Sequence, residues 1–174
     1  MIVRPARPDE AEALARLAAV TLRAAFERDI PAIHLETYLA TSFTPAKAAA
    51  ELSDPLVRLL VAAETGALGG YAKLQIGPCP APVRAARPIE LVRMYLLPEW
   101  YGRGAGDALM TRTLGEARSL ASDILWLKVW DRNDRARRFY ARWGFRDVGE
   151  TSLALVHGVA ESTLGMRIMS RAVG

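Results

Sequence analysis

Glu90-Leu-Val-Arg-Met-Tyr-Leu-Leu-Pro-Glu-Trp-Tyr-Gly-Arg-Gly-Ala-Gly106 runs an apolar strand into a glycine-rich turn and then into the start of a helix. Gly102, Gly104 and Gly106 remove Cβ at alternate positions where successive amides turn inward, and the helix that follows adds the positive end of its dipole. The pattern reads as a pyrophosphate seat. Such a turn alone is a weak signal. A second block strengthens it, Trp130-Asp-Arg-Asn133 through Phe139-Tyr140-Ala-Arg-Trp-Gly144-Phe145, about one strand–helix–strand repeat downstream.

Spacing separates the phosphate-binding alternatives. A Walker loop needs Lys and then Ser or Thr after its last glycine, whereas Gly106 is followed by Asp107 and Ala108. A dinucleotide fingerprint needs G-x-G-x-x-G, but the sixth position counted from Gly102 is Asp107, and from Gly104 it is Leu109. Asp131 lies near the place of a ribose-binding acid, yet the glycines do not fit.

Outward from the seat, the pattern alternates strands and helices. Residues 2–6 read as a short strand, and the stripe Ala11, Leu14, Leu17, Ala18, Thr21, Leu22, Ala25 predicts a helix capped by Asp9. Pro31 and Pro45 punctuate two further helices, roughly 32–41 and 45–53, and Asp54-Pro55 ends the run. Val57 to Glu64 and Leu68 to Ile76 read as strands joined at Thr65-Gly66 as a hairpin, and Gly77-Pro-Cys-Pro-Ala-Pro as a surface loop. Strand 89–97 leads through the glycine turn into a helix over about 104–121, with Ala105, Leu109, Leu114, Ala117 and Ala121 as its buried stripe. Ile124 to Trp130 has the near-continuous apolar character of a strand covered on both faces. Ala136, Phe139, Tyr140 and Trp143 then share one helix face, and Gly144 ends that helix. Phe145 to Leu155 and Ser162 to Arg171, around His157-Gly158, read as a closing antiparallel hairpin.

The chain has 174 residues, 51% of them hydrophobic, which suits one domain spanning 1–174. No run of 18 or more apolar residues occurs, and the first ten residues carry charge where a signal peptide is apolar, so a cytoplasmic protein without a membrane segment is expected. One cysteine, Cys79, and two histidines, His34 and His157, supply no metal cluster. Residues 1–56 carry six basic and eight acidic side chains, against seventeen and eleven in 57–174. The basic excess therefore collects around the phosphate seat, which suits a phosphorylated small cofactor more locally than nucleic acid.

Both blocks resemble the GNAT superfamily of acyl-CoA N-acyltransferases. The family pattern is Gln or Arg, two residues, Gly, one residue, then Gly or Ala; here Tyr101-Gly102-Arg103-Gly104-Ala105-Gly106 stands, and Tyr101 departs from the usual first position. The resemblance implies an α/β (α+β) fold with a mixed, mostly antiparallel sheet of about seven strands, flanked by about four to five helices and splayed between the fourth and fifth strands. It implies acetyl-CoA as co-substrate and no metal. Met94, Tyr95 and Leu96 would hydrogen-bond the pantetheine arm through the main chain, as a guest strand. Gly102, Arg103, Gly104, Ala105 and Gly106 would hold the pyrophosphate, and Asn133 would touch the cofactor. Tyr140 would protonate the leaving thiolate, since a phenol of pKa near 10 can do so. Arg135, Arg138 and Arg142 lie on one side of the same helix. Arg142 best matches the basic position after the family's Tyr and would reach the 3′-phosphate; a solvated basic face is the other reading of all three. An ammonium acceptor must lose a proton before attack, and Glu90 is the candidate base, directly or through water; a glutamate opening a strand is also commonly just solvated. The amide of Leu96 would hold the oxyanion.

Phe26, Tyr38-Leu39, Phe43, Glu51-Leu52, Gly70-Tyr71-Ala-Lys73, Trp126-Leu-Lys-Val-Trp130, Asn133 and Phe139-Tyr140 look like the PaiA-type branch, associated with spermidine and spermine acetylation. The resemblance thus implies a small-molecule amine acceptor, a polyamine among the choices, which the acidic first part of the chain, with Glu27, Asp29 and Glu36, would suit. A homodimer stays open. The alternative is a non-catalytic acyl-CoA-binding sensor or interaction module, motivated by Tyr101 and by the unassigned base. Nucleic-acid binding through the arginine-rich 132–146 segment ranks last, since no recognition motif accompanies it.

Overall fold

A computed structural model describes residues 1–155 and 163–174. The chain opens with strand β1 (Ile2–Pro5), then helices α1 (Ala11–Phe26), α2 (Ala32–Ser42) and α3 (Pro45–Ser53). Strands β2 (Val57–Glu64), β3 (Ala67–Ile76) and β4 (Pro88–Leu96) follow, and then helix α4 (Ala105–Ser119), β5 (Ile124–Trp130), helix α5 (Asp134–Arg142), β6 (Arg146–Ala154) and β7 (Thr163–Ala172). The seven strands form one sheet in the order β1-β2-β3-β4-β5-β7-β6. Every neighbouring pair is antiparallel except β4 with β5. No helix among the described residues is long and apolar enough to cross a membrane.

The parallel pair determines where a ligand can enter. It registers only Pro88, Ile89 and Glu90 against Ile124, Leu125 and Trp126. Beyond Glu90 the strands part, and the upper half of β4 faces a gap, as the family resemblance implies. On its other side β4 stays paired with β3 through Leu96, with Val92 bulged out between the Lys73–Arg93 and Leu74–Leu91 pairs. The Leu97 amide donates to the Gly69 carbonyl at 2.8 Å. In an antiparallel ladder that bond sets the alternation, so Tyr95 turns its main chain toward β3 while Met94 and Leu96 turn theirs toward the gap.

Apolar side chains cover both faces of the sheet. On one face Leu60, Leu74, Leu91, Leu125 and Leu127 pack against Leu109, Met110 and Leu114 of α4 and Tyr140 of α5. On the other, Val57, Leu59, Val61 and Tyr71 lie under Leu14, Leu17 and Ala18 of α1. Trp130, Leu164 and Met166 lie under Phe26, Leu35 and Leu39. The strand at Ile124–Trp130 and the helices at 32–41 and 45–53 are where periodicity puts them, to within a residue. His157-Gly158 and Ser162 lie outside the described residues.

Two local expectations are corrected. Asp9 does not cap α1: it points to solvent, and Pro8–Glu10 forms a single 3-10 turn ahead of the helix. The organising acid is Glu10, which accepts from the Arg7 amide at 2.8 Å and from the two Arg4 Nη atoms at 2.9 and 2.6 Å. Ala121 is exposed rather than part of the buried stripe of α4. The helix stops at Ser119, Ala121 takes a left-handed φ of 53°, and Ser122 closes the end by donating to the Ala117 carbonyl at 3.0 Å.

The Arg4 guanidinium, bonded to Glu10, holds its carboxyl down at about 2, against 4.5 for a free glutamate, despite burial acting the other way. Its folded value is depressed, so the stability it contributes is present above about 4.5 and is lost as pH falls toward about 2. Glu10→Gln is expected to lower stability by about 2 kcal/mol at neutral pH, and by much less near pH 2.5. Urea denaturation at the two pH values checks this; an equal loss at both would remove the ion pair as the cause.

Candidate active site

The turn that begins as a strand ends as a set of open amides. Leu97 to Tyr101 form a tight turn, with Trp100 donating to Leu97 at 2.9 Å and Tyr101 to Pro98 at 3.0 Å. The next amide with a backbone acceptor is that of Ala108, which bonds Gly104 at 3.0 Å as the first helical bond of α4. The amides of Gly102 to Asp107 donate to no acceptor among the described residues. Gly102 and Gly104 have φ of 72° and 78°, and no neighbouring atom lies within 4 Å of where their Cβ would stand. No side chain caps α4 at Gly104. Six amides without an acceptor at a helix N-terminus, with open space at Gly102 and Gly104, suit an anion.

The side chains around the turn have separate duties. Ala105 is fully buried against the core. Arg103 turns away, donating to Glu64 at 2.8 Å and lying over the Trp100 ring. Tyr101 stays on the surface, and the guanidinium of Arg135, from the first turn of α5, lies 3.8 Å over its ring.

The structure brings the two sequence blocks together. A Cβ on Gly106 would stand 3.4 Å from the Phe139 ring, and Trp143 donates from Nε1 to Asp107 at 3.0 Å. Arg142 is exposed, 3.9 Å from the same Asp107 carboxylate and over the Phe139 ring. Asn133 caps α5, its Oδ1 accepting from the Ala136 amide at 3.0 Å, which leaves its side-chain amide group free to donate. Tyr140, 9% exposed, sits between the rings of Phe139 and Phe145 at 5.5 and 5.6 Å. Burial, and then the nearby Tyr95 phenol, push its pKa well above the ordinary phenol value, so it keeps its proton throughout the physiological range.

Met94 and Leu96 present main-chain groups to the gap, whereas Tyr95 sends its side chain to the opposite face, 6.1 Å from the ring of Tyr71. Burial pushes the Tyr95 phenol up to about 12, and Tyr38 adds to the shift. Glu90 is the last residue at which β4 and β5 pair, so it marks the vertex of the gap. Its carboxylate is 3.2 Å from Lys128 Nζ. Because Val92 bulges out, Glu90 and Met94 stand opposite Gln75 and Ala72, three residues apart on β3, which sets them roughly 10 Å apart.

A charged cluster beside the gap was not picked out as a site from the sequence. The Glu51 carboxylate receives Lys73 Nζ at 2.6 Å and Arg93 Nη1 at 3.2 Å, and Arg93 also lies 4.7 Å over the Phe43 ring. The signal was present within the opening stretch. Arg93 is a charge in the middle of a largely apolar strand, a position that ordinarily calls for a partner.

Comparison with known proteins agrees with this geometry. The family model for the acetyltransferase (GNAT) family matches residues 19–145. An uncharacterized N-acetyltransferase of Mycobacterium tuberculosis is 34% identical over 146 residues, covering 84% of this chain and 89% of that protein. Among solved structures, a PaiA N-acetyltransferase from Thermoplasma acidophilum in complex with coenzyme A superposes with a TM-score of 0.75 at 19% identity, over 98% of this chain and 97% of that one. A ribosomal-protein-alanine N-acetyltransferase from Brucella melitensis gives 0.74 at 20% identity, over 99% of both. With a parallel pair that opens after three residues, free amides at the head of α4 and a family match over most of its length, the chain belongs to the GNAT family of acetyltransferases.

Proposed function

We propose that this acetyltransferase moves the acetyl group of acetyl-CoA onto a primary amine, with both substrates in the site together. The observation that carries the reading is the run of free amides from Gly102 to Asp107, continuous with the outward-facing main chain of Met94 and Leu96. Bound acetyl-CoA supplies a thioester carbon open to attack. The glycine-turn amides hold its pyrophosphate, and Arg135, stacked on Tyr101, brings side-chain N–H donors to the place where the family has a Gln or Arg side chain. Arg142 and the free side-chain amide of Asn133 face the cofactor from α5. Met94 and Leu96 pair with the pantetheine arm as a strand would.

The chemistry then falls to three groups. The Leu96 amide stabilises negative charge on the thioester oxygen as the amine nitrogen attacks. Once the C–N bond has formed, Tyr140 gives its proton to the sulfur as the C–S bond breaks, and the second proton shed by the newly bonded nitrogen restores the phenol. Glu90, too far down the strand for direct contact, takes the ammonium proton through water.

Polyamines are the finer acceptor reading, drawn from the PaiA-type resemblance. Of the three acids that would attract a polycation, Glu36 is tied to Arg23 at 2.8 Å, while Glu27 and Asp29 make no ion pair among the described residues. The test is thiol release from acetyl-CoA with a panel of spermidine, spermine, amino acids and peptide amines. At least one amine is expected to raise release well above the rate without acceptor. Calorimetric binding of acetyl-CoA with no release across the panel would instead mark a non-catalytic acyl-CoA-binding module.

A further inference from the structure

Glu51 serves two cations with one carboxylate. Lys73 and Arg93 are 11% and 18% exposed at the side chain, so the cluster carries one buried positive charge in excess. A hollow bounded by Arg93, Glu51, Phe43, Thr44, Lys47 and Tyr71 lies against it. The hydroxyl of Tyr71, itself 2% exposed, has no hydrogen-bond partner. An unpartnered buried hydroxyl and an uncompensated buried cation are each costly, and one anion relieves both. A carboxylate suits the planar fork of a guanidinium that has only one Nη taken up by Glu51. The position is close to the chemistry, because Arg93 adjoins Met94, whose main chain faces the gap, at about 3.3 Å per residue.

We propose that Arg93 and Tyr71 form an anion subsite that receives a carboxylate of the acceptor, so that the substrate is an amino acid or similar amine carrying a carboxylate, not a polycation. The inference rests on the acetyl-transfer reading above. Phe43, stacked on the guanidinium, holds it in place and walls the subsite with an apolar edge. Lys47, on the rim, adds long-range attraction for an anion.

Matched acceptors that differ only in the carboxylate test this: lysine against 1,5-diaminopentane, phenylalanine against phenethylamine, 4-aminobutyrate against propylamine, with spermidine alongside. The carboxylate member of at least one pair is expected to have kcat/KM about tenfold or more above its partner, since a site built to bind a polar group rejects the analogue that lacks it. Arg93→Met should remove that preference by lowering kcat/KM for the acid while leaving the plain amine within about twofold. Tyr71→Phe, which keeps the ring and the packing, should reduce the preference in the same direction, and melting curves confirm that each variant is folded. Equal or greater activity on the decarboxylated members or spermidine would overturn the inference, as would a parallel loss on both members in Arg93→Met. Should no amine be turned over, the transfer reading fails by itself. The subsite is then judged by calorimetry, where carboxylate members must bind the wild type and not Arg93→Met, and absence of that difference refutes it.

Discussion

Replacing Tyr140 with phenylalanine is expected to lower kcat by about 100-fold or more, within the range by which a positioned proton donor accelerates such steps. The KM for acetyl-CoA should change little. The ring stays wedged between Phe139 and Phe145, and the hydroxyl donates to no acceptor among the described residues, so the fold has little to lose. Stopped assays of turnover beside calorimetric binding of acetyl-CoA separate the two quantities, and an unchanged kcat would remove Tyr140 as the acid. The pH dependence has a definite sign. Burial raises the folded value above the ordinary 10.0, so the phenol keeps its proton through that pH and donates throughout. Any decline in wild-type kcat between pH 8 and about 10 must then come from another group.

A single methyl group at Gly69 is expected to be the most damaging change to the fold. A Cβ there would lie 1.7 Å from Cε2 of Trp100, inside the indole. Trp100 is buried in the core beneath the glycine turn, and the Gly69 carbonyl holds the Leu97 amide just before it. Gly69→Ala must therefore expel the indole or pull β3 from β4, at a loss of about 3 kcal/mol or more by urea denaturation. Cofactor affinity should fall with it, because the turn that carries the amides of 102–107 follows Trp100 directly in the chain. Paired with Trp100→Leu, the alanine should cost far less than it does alone, a coupling of at least about 1 kcal/mol. Additive losses would show that the contact is not the cause.

Periodicity located most elements because the sheet is covered on both faces and each helix buries one stripe. Ile124–Trp130 reads as a strand from its apolar run alone, and Ala136, Phe139, Tyr140 and Trp143 read as a helix face. The glycine turn was legible because positive φ and a bare helix start demand those residues locally. The parallel pair that opens after Glu90 is a different matter. No spacing encodes it, and it entered only through resemblance to a family. What stayed hidden depends on residues far apart in sequence. Glu51 meets Arg93 across 42 positions, and Arg135 covers Tyr101 from another helix, so neither pairing leaves a local trace. Asp9 and Glu10 illustrate a finer limit: both acids suit the start of a helix, and only the 3-10 turn at Pro8 decides which one faces inward.

The short junction between β4 and β5 also shapes how the molecule holds together. Strands β1 to β4 form one panel and β5 to β7 another, and the backbone ladder between them is three residue pairs long. Above that seam the sheet lacks a rung. A ligand laid along Met94 and Leu96, as proposed, would supply the rung, so that part of its binding free energy would become cohesion between the panels and saturating it would raise the cost of unfolding. In such a design the acyl donor would be both a substrate and a stabiliser of the sheet that holds it.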